Sequence, residues 1–319
     1  MSTSNPLNTL AASRNYGNTG THSIKFNPDR ITGIILVPDT WVYDATDIAS
    51  FITNLQADVN KAATSRIFPV YRLTLDKDDT KDTIMADMGY EIQQPVMEGK
   101  PDFTFKVLNC DVEMNNQLRQ FNGLTNYKIL LIDSNQKVIG TKTATAGEFT
   151  GFSLNFFWTS QFKFNDGKNP TIYKIHFSLT DPQDINERIE FVECLVNIEQ
   201  NVKGIINAVL SNGAAAASKT AYIKAKTNQN GVDLYDIYGA TLFSDDSLWV
   251  VTDNSTGASV TPSSVTADPT TKSAAIVFAS AGTYDFKLAD PATLATAHVG
   301  EFPANGIETP DVLTVVVPT

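Results

Sequence analysis

Along most of the chain the apolar residues recur at every second position, and in two stretches they recur at helical spacing. Residues 31–37 form an apolar run closed by Pro38, which predicts an opening strand. Over residues 47–61, Ile48, Phe51, Ile52, Leu55 and Val59 fall on one helical face. Asp44 or Thr46 is placed to cap that helix, and Lys61 suits the negative end of its dipole. Tyr71, Leu73 and Leu75 then alternate with Arg72, Thr74 and Asp76, the period of a half-buried strand. Phe103, Phe105 and Val107 repeat it. Met114, Leu118 and Phe121 return to helical spacing before a glycine stop at Gly123. Residues 127–133 and 137–141 flank Ser134, Asn135 and Gln136, which predicts a hairpin. Phe152, Leu154, Phe156 and Trp158 alternate with Ser153 and Asn155. Tyr173, Ile175, Phe177 and Leu179 alternate with Lys174, His176, Ser178 and Thr180. A last strand over residues 189–198 precedes a second helix ending near Leu210.

Two segments lack any period. Residues 76–100 are of mixed charge, and a loop that long in a compact domain is uncommon unless it is functional or ordered by a partner. It is read as an assembly arm or hairpin extension, with a disordered surface loop as the alternative. Residues 211–218, SNGAAAAS, are a small-residue joint and the expected linker. Beyond it Thr, Ser, Ala and Val dominate, and short strands are expected at 221–226, 240–243, 248–252, 274–278, 283–289 and 312–317. That many short strands in about a hundred residues predict a sandwich. The expected fold class is mostly β: a sandwich- or barrel-like domain with one or two flanking helices over 24–210, then a second β-sandwich over 219–319.

Length agrees with two domains, since 319 residues exceed the usual size of one. A net charge of −11 argues against nucleic-acid binding, which needs clustered Lys and Arg. An acidic surface does let DNA slide past without sticking. Residues 1–23 are expected to be a flexible arm. Its first twenty residues are rich in Ser, Thr, Asn and Gly, with no apolar core of a signal peptide. No apolar run approaches the roughly 20 residues of a membrane-spanning helix, so no membrane partner is expected. Cys110 and Cys194 show no metal spacing and read as small buried thiols rather than a disulfide.

The chemistry-bearing residues form no recognisable constellation. His22 falls in the arm, His176 on the polar phase of its strand and His298 in a loop, none at metal-ligand spacing. There is no nucleophile elbow, P-loop or dinucleotide fingerprint; Gly147 and Gly151 are too isolated to cradle phosphate. Asp76, Asp78, Asp79 and Asp82 lack the alternation, turn glycine and distal Glu of a calcium loop, and read as a solvated charge run. Phe156, Phe157 and Trp158 offer a sugar platform on paper. Alternation puts Phe156 and Phe157 on opposite faces, so core packing plus an interface contact is simpler. No residue is therefore nominated as catalytic, cofactor-binding or metal-ligating, no cofactor is expected, and the chain is not expected to be an enzyme.

Trp249 on an early strand, the run Ala281-Gly282-Thr283-Tyr284-Asp285-Phe286 and the terminal Leu313-Thr314-Val315-Val316-Val317 resemble the immunoglobulin-like domains of bacterial and phage surface proteins. In that resemblance Tyr284 forms a corner at the start of the penultimate strand. With a preceding β-rich domain, the order resembles the major tail (tail tube) proteins of long-tailed bacteriophages. The resemblance implies a virion structural protein made in the bacterial host cytoplasm, forming rings, usually hexameric. Its partners would be copies of itself and other virion proteins, with only weak, non-specific contact to DNA in transit. The helix from Ile48 to Val59 would flank the sandwich, residues 76–100 would be the stacking loop and the N-terminal segment the arm. The alternatives are a phage capsid or head-decoration protein, and a cell-surface or carbohydrate-binding β-module.

Overall fold

The computed structural model describes residues 28–44, 47–87, 93–108, 112–168, 170–228, 230–297 and 306–319. The chain is mostly β. It divides into two compact units: the residues up to Asp58 with Ala63–Val202, and Val59–Ala62 with Lys203–Thr319. The expected N-terminal arm, His22, Cys110 and His298 lie outside the described residues.

The first unit carries strands β1 (Ile31–Pro38), β2 (Tyr43–Asp44), β3 (Phe68–Tyr71), β4 (Leu73–Asp78), β5 (Ile84–Asp87), β6 (Gln93–Met97) and β7 (Asp102–Leu108). After the helix Val112–Arg119 come β8 (Tyr127–Asp133), β9 (Lys137–Lys142), β10 (Glu148–Thr150), β11 (Phe152–Thr159), β12 (Ile172–Leu179) and β13 (Ile189–Glu193). Hydrogen-bonded order runs β2-β10-β9-β8-β11-β12-β7-β4, with β1 joining β3 and β8, and β13 on β9. β1 and β8 pair antiparallel, Ile34 opposite Leu131 and Leu36 opposite Ile129. Both strands are buried on both faces, which is why their sequences run apolar without alternation. One face meets Phe105, Phe152, Phe157, Ile175 and Phe177 in the main core. Beside the helix Phe51–Val59, the rings of Trp41, Tyr43, Phe51 and Phe149 pack edge-on or stacked at 4.7 to 6.4 Å.

β11 belongs to both halves of this sheet. It begins on β8, with Phe152 opposite Ile129, passes to β12 with Leu154 opposite Leu179, and there bulges between Leu154 and Phe156. A strand that changes partners beside a bulge turns a corner between sheets. The extra residue also reverses the inside and outside positions. Phe152 and Leu154 point to the core, but beyond the bulge Phe157 and Thr159 are the buried ones while Trp158 is exposed. The simple alternation expected over 152–158 is thus broken at its midpoint.

Other expectations need correction. The helix over 47–61 shortens to Phe51–Val59, and the side chain placed before it is that of Asp47, which accepts from Ser50 N–H. The single strand expected over 71–76 is two strands meeting at Arg72, whose φ of 60° turns the chain. The strand over 189–198 ends at Glu193. The helix expected near Leu210 is instead a short turn of helix, Ile198–Asn201, followed by a strand. Residues 76–100, expected as one long loop without a period, hold the antiparallel pair β5–β6 among the described residues.

The second unit contains β14 (Ile206–Ala217), β15 (Thr220–Thr227), β16 (Trp249–Asp253), β17 (Ser264–Asp268), β18 (Ser273–Val277), β19 (Gly282–Leu288), β20 (Ile307–Glu308) and β21 (Leu313–Val317). They form a sheet in the order β17-β18-β15-β14-β20 and a second in the order β16-β19-β21. Ile223, Ala274 and Ile276 from the first sheet share one core with Trp249, Phe286 and Val315 from the second. The expected linker, 211–218, is no linker: most of it is the second half of β14, bulged twice against β15. Within it Gly213 has a packing reason to be small, since a Cβ there would stand 2.7 Å from the Ser273 side chain. The strand expected over 240–243 lies in the helix Leu234–Ser244, which Asp233 caps by accepting from Tyr235 N–H and which kinks at Gly239 (φ 55°).

Candidate functional site

The outward face of the β4–β7–β12–β11 sheet gathers polar and aromatic side chains from four strands. The register sets Trp158 opposite His176, His176 opposite Thr104, and Lys174 opposite Lys106. His176 Nε2 meets Asp102 Oδ1 at 2.5 Å, and its ring stands edge-on to Phe156 at 4.9 Å. The Asp76 carboxylate bonds to Lys106 and lies 2.7 Å from Lys174 Nζ. The two ammonium groups hold its carboxyl below the usual carboxylate range. Asp76 is thus the exception among the four aspartates read as a solvated run: a bulge between Leu75 and Lys77 turns it onto this face, while Asp78, Asp79 and Asp82 stay exposed.

A second feature of the same unit is an open cleft of about 310 Å³ where β1, the β3–β4 corner and the β8–β9 turn converge. Arg30, Thr32, Tyr71, Arg72, Gln136 and Glu199 line it. Gly33 lets it form: the Tyr71 ring lies 3.1 Å from where a Cβ would stand. The Tyr71 hydroxyl donates to the Val202 carbonyl, and burial pushes its pKa up, so it is an anchored donor rather than a base. Arg72 Nε donates to Glu199 Oε1 at 2.8 Å, and Gln136 Oε1 accepts from Ile198 N–H at 2.7 Å. The lining offers donors for an anion. Its one carboxylate is already engaged by an arginine, which does not suit it to general base work.

The third feature is unsatisfied edge. Among the described residues β4 has a ladder partner on β7 only, and β5 and β6 pair only with each other. On that hairpin Ile84, Met85 and Met97 are 57%, 47% and 61% exposed. Cys194, as expected, is a buried thiol without a disulfide, and burial pushes it up to about 12. Among the described residues no group of three or more His, Cys, Asp or Glu side chains is placed to hold a metal ion, and no helix is long and apolar enough to cross a membrane. The cleft escaped the sequence reading because its arginines lie more than forty residues apart and Arg72 sits in what reads as an unbroken strand. No protein-family model matches the chain, and no curated protein sequence matches it.

Proposed function

We propose that the chain is a non-enzymatic structural subunit that self-assembles, most simply as the stacked rings of a bacteriophage tail tube through which DNA passes. The observation that carries this reading is the edge strand β4 together with the β5–β6 hairpin and its exposed Ile84, Met85 and Met97. Open strand edges and clustered exposed apolar side chains are costly in a lone subunit and are satisfied by neighbours. The acidic balance is compatible with DNA moving past without adhering. An immunoglobulin-like reading of the second unit is supported by its two-sheet core around Trp249. It is supported also by the Tyr284 hydroxyl, which donates to the carbonyl of Ser280 at 3.0 Å in the manner of a tyrosine corner. The helix Leu234–Ser244 departs from that pattern.

Negative-stain imaging of the purified full chain is the test. Rings stacking into tubes are expected. A monomer at high concentration, with neither rings nor tubes, overturns the proposal, and closed shells or flat sheets move it to a capsid or head-decoration role. One observation favours a carbohydrate-binding reading instead: Trp158, 49% exposed, stands beside the His176–Asp102 pair. Glycan-array binding that is lost in Trp158→Ala would carry that alternative.

A further inference from the structure

We infer that the cleft around Arg30 and Arg72 is a carboxylate-binding site, and that its occupant is the Asp78–Asp79 pair of a second copy of this chain. The inference rests on the self-assembly reading above and names one of its contacts. Arg72 spends only its Nε on Glu199, which leaves its terminal nitrogens to form the fork that matches a carboxylate. Among the described residues Arg30 has no carboxylate within ion-pair distance. The adjacent Asp29 accepts from the Ser134 hydroxyl and from Arg30 N–H, both at 2.7 Å, and the Arg30 charge acts on it from further off. Both arginines are exposed, so an incoming side chain meets them without displacing the core.

The backbone around the cleft is irregular at three points. β1 bulges between Ile31 and Gly33, and Arg72 and Gln136 hold φ of 60° and 63°. Side-chain-bearing residues persist in the left-handed region only where the surroundings impose it, and such residues and bulges collect where side chains are aimed at a partner. Here they turn Thr32, Arg72 and Gln136 into one concavity.

The complement lies at the other end of the same strand. Arg72 immediately precedes β4, and Asp78 ends it, followed by Asp79. Asp78 accepts from Thr80 N–H, and both carboxylates are exposed, with Lys77 and Lys81 as the flanking cations. Six residues of strand at about 3.3 Å each place the acidic pair roughly 20 Å from Arg72, too far for one copy to join its own two ends. A second copy displaced along β4 by that distance joins them. The contact is head-to-tail, between two different patches, and so repeats into a ring or an open stack rather than closing as a two-fold dimer.

Sedimentation velocity on the full chain tests this, with thermal melts showing that each variant is folded. Arg30→Glu and Asp79→Lys are each expected to weaken association by about tenfold. The double variant Arg30→Glu/Asp79→Lys is expected to recover part of the loss, and Arg72→Gln to weaken association with no change in melting. Glutarate, a free dicarboxylate, is the competing probe and is expected to weaken association of the unmodified chain. If the unmodified chain assembles and the charge reversals leave association unchanged, the inference is overturned and the self-assembly reading stands. If glutarate binds in an Arg30-dependent way while Asp79→Lys assembles normally, the occupant is a small carboxylate and the second-copy assignment is wrong. If the unmodified chain does not associate at all, both readings fail.

Discussion

Phe157 and Trp158 are adjacent in sequence and sit on opposite sides of one sheet, with Phe157 1% exposed and Trp158 49%. Phe157→Ala is expected to cost about 3–5 kcal/mol by emptying a core position. Trp158→Ala is expected to cost less, about 1–2 kcal/mol in the lone subunit, since about half of the ring stays in solvent. Urea denaturation of the two variants measures the difference. The pH response belongs to Asp76, whose folded pKa is depressed by Lys106 and Lys174. Its stabilisation is fully present above the unfolded carboxylate value of about 4 and is lost as pH falls through the folded value. Asp76→Asn should therefore be less stable than the unmodified protein at neutral pH, the gap closing below the folded value. Denaturation midpoints followed into acid check that convergence. Cys194, with its thiol pushed up to about 12, should resist iodoacetamide in the native protein and react on unfolding, as peptide mass spectrometry would show.

Among the elements, β7 and β12 were legible because their apolar residues alternate, and the hairpin β8–β9 because two apolar runs flank the turn residues Ser134, Asn135 and Gln136. β11 was legible as a strand but not in its facing, since a bulge inserts a residue without leaving a mark in composition. The β3–β4 corner was illegible for a related reason: Arg72 turns the chain where sequence rules look for Gly or Asn. The run 240–243 is short and apolar, which suits a buried strand and a buried helix equally, and only the packing of Leu242 and Phe243 into the core settles it. β9 carries a testable constraint. A Cβ on Gly140 would lie 2.3 Å from the Thr150 carbonyl oxygen, so Gly140→Ala should force β9 and β10 apart and cost about 1–3 kcal/mol in a thermal or urea melt. On the hairpin, where Ile84 stands opposite Met97, Ile84→Asp with Met97→Lys should leave the melting temperature nearly unchanged and reduce self-association in sedimentation velocity, because these exposed side chains mainly stabilise an assembled state.

For the whole molecule, the second unit takes Val59–Ala62 and otherwise begins at Lys203 rather than in the small-residue stretch 211–218. A fragment beginning at residue 203 keeps β14 against β15. One beginning at residue 219 strips β14 away and bares the edge of β15, including Ala221, Ile223 and Ala225. The first should show a cooperative melt and dispersed amide resonances, and the second should unfold or aggregate. Composition and periodicity by themselves determined that this chain is mostly β and, in strands such as β7 and β12 that keep their alternation, which residues face the core. Those properties follow from how often an apolar side chain recurs, which is local information. Tertiary structure alone decided where β11 turns its corner, why Gly213 must be small, and that Arg30 and Arg72 line one cleft. Each depends on a backbone or side chain distant in sequence, such as Ser273 against Gly213, and short-range spacing does not encode that distance.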